Sequence, residues 1–487
     1  MIRWTSRAVA TLTAVCSLCV ASNAYAIPAF ARKYETSCLT CHTVFPKLNP
    51  FGESFRRNGY RFPGVDTDFV KQGTVVLSQE ANKKTFPNSA WPGTLPISVP
   101  ISIGANGQAF IVPSSTSTAG RTAQPGTSVT VQDLVAEGHI WGGAALDDNI
   151  TLWAELTFGS DGSLDVEHAQ VLFNDLIGPK HYLNLIVGHG FPNVTPFGPH
   201  SSYIADLMVP NAPVGALLGN GSAWQLVDNY TGLELNGVIK GRVSYAVGVN
   251  AGATAHLNNF STEDYYGHLG LKLGGMRMDG ENATGPQDTL RPWAETALTL
   301  YAFGYRSNTR VNFATDTTTT PPTPVGPFLN NDVASTWGLA GRAQVGSAEL
   351  NVGYYNDRHN HGTDTFAAAR AKVFFSELSY VIFPWLVPSI RVENIGLDID
   401  GAPSVNAWHV MPGIAFLIRP NLKLLAVANW EHANGFPTKV SDGSLQPWTG
   451  GAADWGSFTI APGPGVTDAT TSSSEFETIA FFLAWAM

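Results

Sequence analysis

The chain is poor in charge, in long apolar runs and in basic residues, and each shortage excludes a class. Charged residues make up 14% of the 487 positions, against about 25% in ordinary soluble chains, so something other than water covers much of the surface. Beyond the first few tens of residues no uninterrupted apolar stretch reaches the ~18 residues of a membrane helix. That argues against helical spans and leaves the closed β-barrel, which satisfies every backbone polar group between its strands. Lys and Arg number 28 against 38 Asp and Glu, a net charge of −10, which provides no electrostatic footprint for nucleic acid.

Cysteine is also scarce, with four in the whole chain. Cys16 and Cys19 fall within an export signal: Arg3 and Arg7 precede the apolar stretch from Ala8 to Val20, and the small-residue site Ala24-Tyr25-Ala26 predicts cleavage before Ile27. Neither cysteine lies in a lipoprotein box. The mature chain keeps Cys38 and Cys41 and has no disulfide framework.

Those two cysteines stand in Cys38-Leu39-Thr40-Cys41-His42. This is the c-type haem attachment pattern, in which two thiols add to the vinyl groups and the adjacent imidazole becomes an axial ligand of the iron. A zinc site would need more Cys or His nearby, and His42 is the only histidine between Ile27 and Gly138. A redox dithiol would need a βαβ setting, which Pro46, Pro50 and the short flanks do not supply. The same segment lacks methionine, so a sixth ligand must come from elsewhere: a His or Met of the following domain, a Lys or amino group, or water. Alternation points His139, His168 and His268 inward, where the plain alternative is polar side chains facing a wet lumen.

From Gly73 the chain reads as short alternating runs between Gly, Pro, Asn and Asp clusters. In Ile150 to Phe158, Ile150, Leu152, Ala154, Leu156 and Phe158 share one face, opposite Thr151, Trp153, Glu155 and Thr157. Val243, Tyr245, Val247 and Val249 alternate with Arg242, Ser244, Ala246 and Asn250 after a tight Lys240-Gly241 turn. Leu350, Val352 and Tyr354 follow Gly346-Ser347 likewise, opposite Trp337, Leu339 and Val345, and Arg419-Pro420-Asn421 links two further strands. The stretches Ser114 to Thr127, Thr315 to Pro327 and Ala433 to Thr470 read as long loops. Short turns on one side, long loops on the other and strands of about ten residues describe an outer-membrane barrel better than a soluble β-sandwich, and the length accommodates about 16 strands. The closing strand, Glu477 to Met487, directs Ile479, Phe481, Leu483 and Trp485 to lipid. It ends on Met487 rather than on the usual aromatic.

The expected organisation is an export signal over 1–26, a haem-binding segment over 27–72 and an all-β, transmembrane antiparallel barrel over 73–487, with the small cytochrome segment as its plug. Around Cys38 to His42, the run Ala29-Phe30-Ala31-Arg32, then Thr43-Val44-Phe45-Pro46-Lys47-Leu48-Asn49-Pro50-Phe51-Gly52 and Asn58-Gly59-Tyr60 resembles the fused monohaem cytochrome-porins of outer membranes, best known from iron-oxidising bacteria. The resemblance covers about 30 residues by motif and the remainder by architecture. It implies one covalent haem c on Cys38 and Cys41 with His42 on the iron. It also implies electron transfer from extracellular Fe(II), or another donor, to a periplasmic cytochrome or copper protein. Activity as an Fe(II)-oxidising oxidoreductase would follow from that kinship.

Arg32, Lys33, Phe45, Phe51, Arg56 and Arg57 are candidates to surround the propionates, or else simply to fold the plug. Asp357, His359, His361 and Asp364 have a spacing that permits iron coordination, though a solvated loop is the plainer reading. A rival function is a solute porin with a structural or regulatory haem, for which Arg242, Arg342 and Arg391 would line an anion path. A second rival is a periplasmic haem protein with a soluble β domain.

Overall fold

The computed structural model describes residues 29–63, 74–76, 84–85, 94–96, 101–112, 128–146, 149–159, 162–196, 229–251, 264–281, 291–311, 315–316, 323–324, 330–360, 368–400, 404–436 and 472–486. The expected export signal lies outside them.

Residues 29–63 fold into a plug: helix α1 (Ala29–Lys33), one 3-10 turn at Cys38–Thr40, a hairpin of β1 (His42–Val44) and β2 (Lys47–Leu48), and helix α2 (Pro50–Arg57). Helix α2 begins where local chemistry requires. Asn49 caps it by accepting the Gly52 amide at 2.9 Å, and Pro50 takes the first turn. Glu53 in the first turn and Arg56 and Arg57 in the last complement the helix dipole. The plug's core is aromatic, with Tyr34, Phe51, Phe55 and Phe62 buried together and ring centroids 4.2 to 5.9 Å apart.

Two short strands, β3 (Thr74–Val76) and β4 (Thr94–Pro96), pair with each other in a sheet of their own. The barrel starts at β5 (Ile101–Val112) and continues through β6 (Ser128–Ala145), β7 (Ile150–Gly159), β8 (Leu164–Phe173), β9 (Asn184–Gly190), β10 (Tyr230–Ile239), β11 (Val243–Asn250), β12 (Asp264–Gly274) and β13 (Glu295–Val311). A small pair, β14 (Thr315–Asp316) and β15 (Thr323–Pro324), interrupts it. It resumes with β16 (Asn330–Gly346), β17 (Ala348–His359), β18 (Ala369–Tyr380), β19 (Leu386–Ile399), β20 (Val405–Arg419), β21 (Leu422–Phe436) and β22 (Ser472–Ala486). Every neighbouring pair is antiparallel, and β22 pairs with β5 from Ile479↔Ile111 to Ala486↔Gly104. The sixteen strands therefore close, which a β-sandwich does not do.

Period-two alternation sets the faces. Along β7, Leu152, Ala154 and Phe158 are exposed while Thr151 and Thr157 are buried inward. Leu233, Leu269, Leu298, Leu339 and Leu378 continue the apolar exterior on other strands, and Tyr380, Phe383 and Trp385 stand exposed around one short turn. Such a belt with aromatic ends matches lipid. The Lys240-Gly241 turn has both φ angles positive, 50° and 69°, as a two-residue hairpin of the primed type requires.

The expected loop from Ala433 starts later. β21 runs to Phe436 and pairs there with Ser472 of β22, across a register shift, because polar residues extend the ladder once it has left the apolar belt. Ser114 to Thr127 lies outside the described residues, as does most of Thr315 to Pro327 apart from the β14–β15 pair.

The plug sits inside the barrel at the short-turn end. Thr151, the second residue of β7, donates to the Gly59 carbonyl at 2.8 Å, and Arg61 pairs with Asp175 after β8 at 3.2 Å. On the opposite wall Val44 packs into a buried apolar patch with Trp293, Val387, Met411, Leu425 and Phe482.

Candidate functional site

The motif is shaped by Asn49. Its side-chain amide donates to the Leu39 and Thr40 carbonyls at 3.1 and 3.0 Å, and its backbone N–H donates to the Cys41 carbonyl at 2.9 Å. Helix α2 thus presses against the Cys38–Cys41 turn. A Cβ at Gly52 would lie 2.0 Å from the Cys41 carbonyl oxygen, so only glycine fits there.

Two observations bear on whether this turn suits a covalent haem. Both thiols are free and half-buried. The Nδ1 atom of His42 lies 3.1 Å from the Pro46 carbonyl, brought back by the β1–β2 turn. A carbonyl only accepts, so Nδ1 carries the proton and Nε2 keeps the lone pair that a metal needs. Burial holds the His42 pKa down to about 4 against opposing backbone hydrogen bonds, so the imidazole is neutral near pH 7.

The same geometry disfavours the alternatives. Burial, with the neighbouring Cys38 adding to it, pushes the Cys41 thiol up to about 12, and burial raises Cys38 as well. A redox dithiol needs the reverse shift. Among the described residues no group of three or more His, Cys, Asp or Glu is arranged to hold a metal ion, so no zinc set completes the cysteine pair.

The other candidates divide. Phe45 stands between His42 and the wall, with ring centroids 5.5 Å from His42 and 6.2 Å from Trp141. Phe51 belongs to the plug core. Arg32 donates to the Ile101 carbonyl, Lys33 lies over the Tyr34 ring at 4.8 Å, and Arg57 faces Glu53 at 3.9 Å. Of the inward histidines, His139 meets Glu155 at 3.2 Å and His168 faces the same carboxylate at 3.7 Å. His268 contacts the Asn193 carbonyl.

Asp357 and His359 do come together, but with Asp332, and His359 is clamped through both nitrogens, to Asp332 and to Asp357. With neither nitrogen left over, this histidine is a wall strut rather than a ligand. His361 and Asp364 lie outside the described residues.

The three arginines expected to line an anion path all have protein partners. Arg342 is taken by Glu53 of the plug, Arg391 by Glu393 at 2.7 Å and Glu377 at 3.9 Å, and Arg242 by the Gly274 and Gly275 carbonyls.

The locks between plug and wall are residues that sequence reading passed over. Lys47 donates to Glu349 at 2.6 Å, with both side chains buried, and the Gln344 and Asn351 side-chain amides donate to the same carboxylate at 3.0 and 2.8 Å. Glu53 receives Arg342. Burial alone would raise the Glu53 carboxyl, but Arg342, Arg57 and Lys272 overcome it and hold the pKa near about 2. The partners stand 302 and 289 positions apart, so no local signal marks them.

No family model matches the chain, and no curated protein matches it. Among solved structures, a loop-deletion form of OmpT from Vibrio cholerae overlays with a TM-score of 0.47 at 10% identity, covering 80% of this chain and 99% of that one. The anion-selective porin of Comamonas acidovorans gives 0.47 at 11%, covering 80% and 99%. OmpF of Salmonella typhi, solved with daunomycin, gives 0.46 at 11%, covering 80% and 97%. The barrel assignment rests on the strand ladder itself.

Proposed function

We propose that the chain is an outer-membrane cytochrome-porin, a barrel closed at its periplasmic mouth by a plug that carries one covalent haem c. Cys38 and Cys41 would hold the porphyrin through thioethers and His42 would ligate the iron. The group would supply one-electron redox chemistry. The chain's own residues orient the ligand through Pro46, fix the turn through Asn49, and seat the plug through Lys47–Glu349 and Glu53–Arg342. Electrons would pass from an extracellular donor, Fe(II) first among the candidates, to a periplasmic cytochrome or copper protein.

The observation that carries this reading is the placement of the haem motif within the barrel mouth, tied to the wall by buried ion pairs. A conduit needs its redox centre inside the insulating wall, whereas a soluble cytochrome domain would need no such ties. Short turns at the plug's end favour the periplasmic side for it.

The test is a covalent haem stain on detergent-extracted mature protein, followed by rapid mixing with Fe(II). A stained band reduced by Fe(II) is expected. Protein lacking covalent haem, or extracted without detergent, overturns the reading.

A solute channel is the second reading, because sixteen strands are the size that leaves an aqueous lumen. Steady conductance in planar bilayers without reduction by Fe(II) would favour it.

A further inference from the structure

We propose that Phe45, Trp141 and His139 form an electron-entry route from the lumen to His42. The inference rests on the haem reading above and adds to it the path.

Trp141 lies on β6, four residues before its short-turn end, and Phe45 on the plug, so their contact crosses the boundary between plug and wall. Ring centroids step from His42 to Phe45 at 5.5 Å, to Trp141 at 6.2 Å and to His139 at 5.1 Å, the last pair stacked within 7° of parallel. The file climbs away from the plug, since His139 is two residues nearer the long-loop end of β6.

The wall is built around this ring. A Cβ at Gly104 on β5 would lie 2.5 Å from the Trp141 ring, so the missing side chain is what lets the indole lie flat. At its outer end the file meets carboxylates, Glu155 at 3.2 Å and Glu137 at 3.7 Å from His139, with Asn106 holding Glu137 at 3.0 Å. Glu155 also faces His168. A small cationic metal donor entering the lumen is drawn to that end. There one electron would leave the donor, which would pass from the 2+ to the 3+ state, and a haem held at the motif would take that electron up. No covalent bond forms or breaks along the route, and the rings, tilted at His42–Phe45, edge-on at Phe45–Trp141 and stacked at Trp141–His139, shorten the gap through which the electron must couple.

A second file, with Phe30 on Tyr60 at 5.3 Å and Tyr60 on Trp153 at 4.9 Å, also crosses from plug to wall. It reaches the motif through the plug core, against which Cys41 packs, rather than through His42, which makes it the competing route. Both files contribute packing, but the proposed route uses one.

The test uses haem-loaded full-length protein in detergent, mixed rapidly with Fe(II) and, in parallel, with hexaammineruthenium(II). Trp141→Leu should slow reduction by about tenfold or more, Trp141→Phe should restore most of the rate, and Trp153→Leu should leave it unchanged. Absorption spectrum and reduction potential should match the parent in all three. Should Trp141→Leu not assemble, Phe45→Leu tests the same step from the plug side. A parental rate in the Leu variant, equal slowing in Trp153→Leu, or a potential shift large enough to account for the slowing overturns the route. Reduction of the parent by ruthenium but not by Fe(II) removes Fe(II) as donor while the route is judged on ruthenium rates. A parent without covalent haem overturns both proposals.

Discussion

The barrel and its plug are held by different kinds of interaction. The barrel is a continuous ladder in which each strand is bonded to two neighbours, so stability is spread over sixteen seams and no single side chain decides it. The plug makes few backbone bonds to the wall and depends on particular side chains: Lys47 and Glu53 reaching strand carboxylate or guanidinium, and Val44 in an apolar recess. A ladder tolerates drift in sequence, whereas a socket of buried charges fails when one partner is removed.

The sharpest test of that contrast is on the plug. His42→Ala should abolish the parent's haem absorption spectrum and donor-driven reduction altogether, while the heat-modifiable mobility of the folded barrel on a gel stays as in the parent; a lost barrel would show the two regions fold as one.

Next in size is Glu53→Ala, which leaves Arg342 buried without its partner. The seating of the plug should weaken by about 3–5 kcal/mol, read as protease cleavage within residues 29–63, with the barrel still resistant. Arg342→Met together with Glu53→Leu should recover much of the loss.

On the barrel side, Leu339→Arg places a charge on the exposed apolar face. It should cost about 2–4 kcal/mol at mid-depth, measured by urea unfolding in lipid, without altering haem reduction.

The smallest effect is that of pH. Folding lowers the Glu53 pKa from 4.5 to about 2, so its contribution to seating is complete above 4.5 and falls away only as the pH approaches 2. Protease protection of the plug should therefore persist at mildly acidic pH and fail near the lower value. Loss already at pH 5 would mean another group governs release.

Much of the architecture was legible along the chain. The Ile150 to Phe158 alternation assigned its faces correctly, because a strand's period of two is local. The Lys240-Gly241 turn was readable for the same reason. The role of Asp357 and His359 was not. Only register brings Asp332 across from β16 to clamp that imidazole. Arg342 and Arg391 looked like lumen charges available to a solute, since a sequence marks a residue as inward-facing but not as already paired.

By itself, the sequence determined that the strands alternate, where the short turns fall and that two thiols and an imidazole stand within five residues of one another, because each of these depends on neighbours a few bonds away. Tertiary structure alone decided that the motif lies in the barrel mouth, that Lys47 meets Glu349 and that Phe45 faces Trp141. Those contacts join residues far apart in the chain, and they exist only once the sheet has closed and fixed which inward side chains share one level of the lumen.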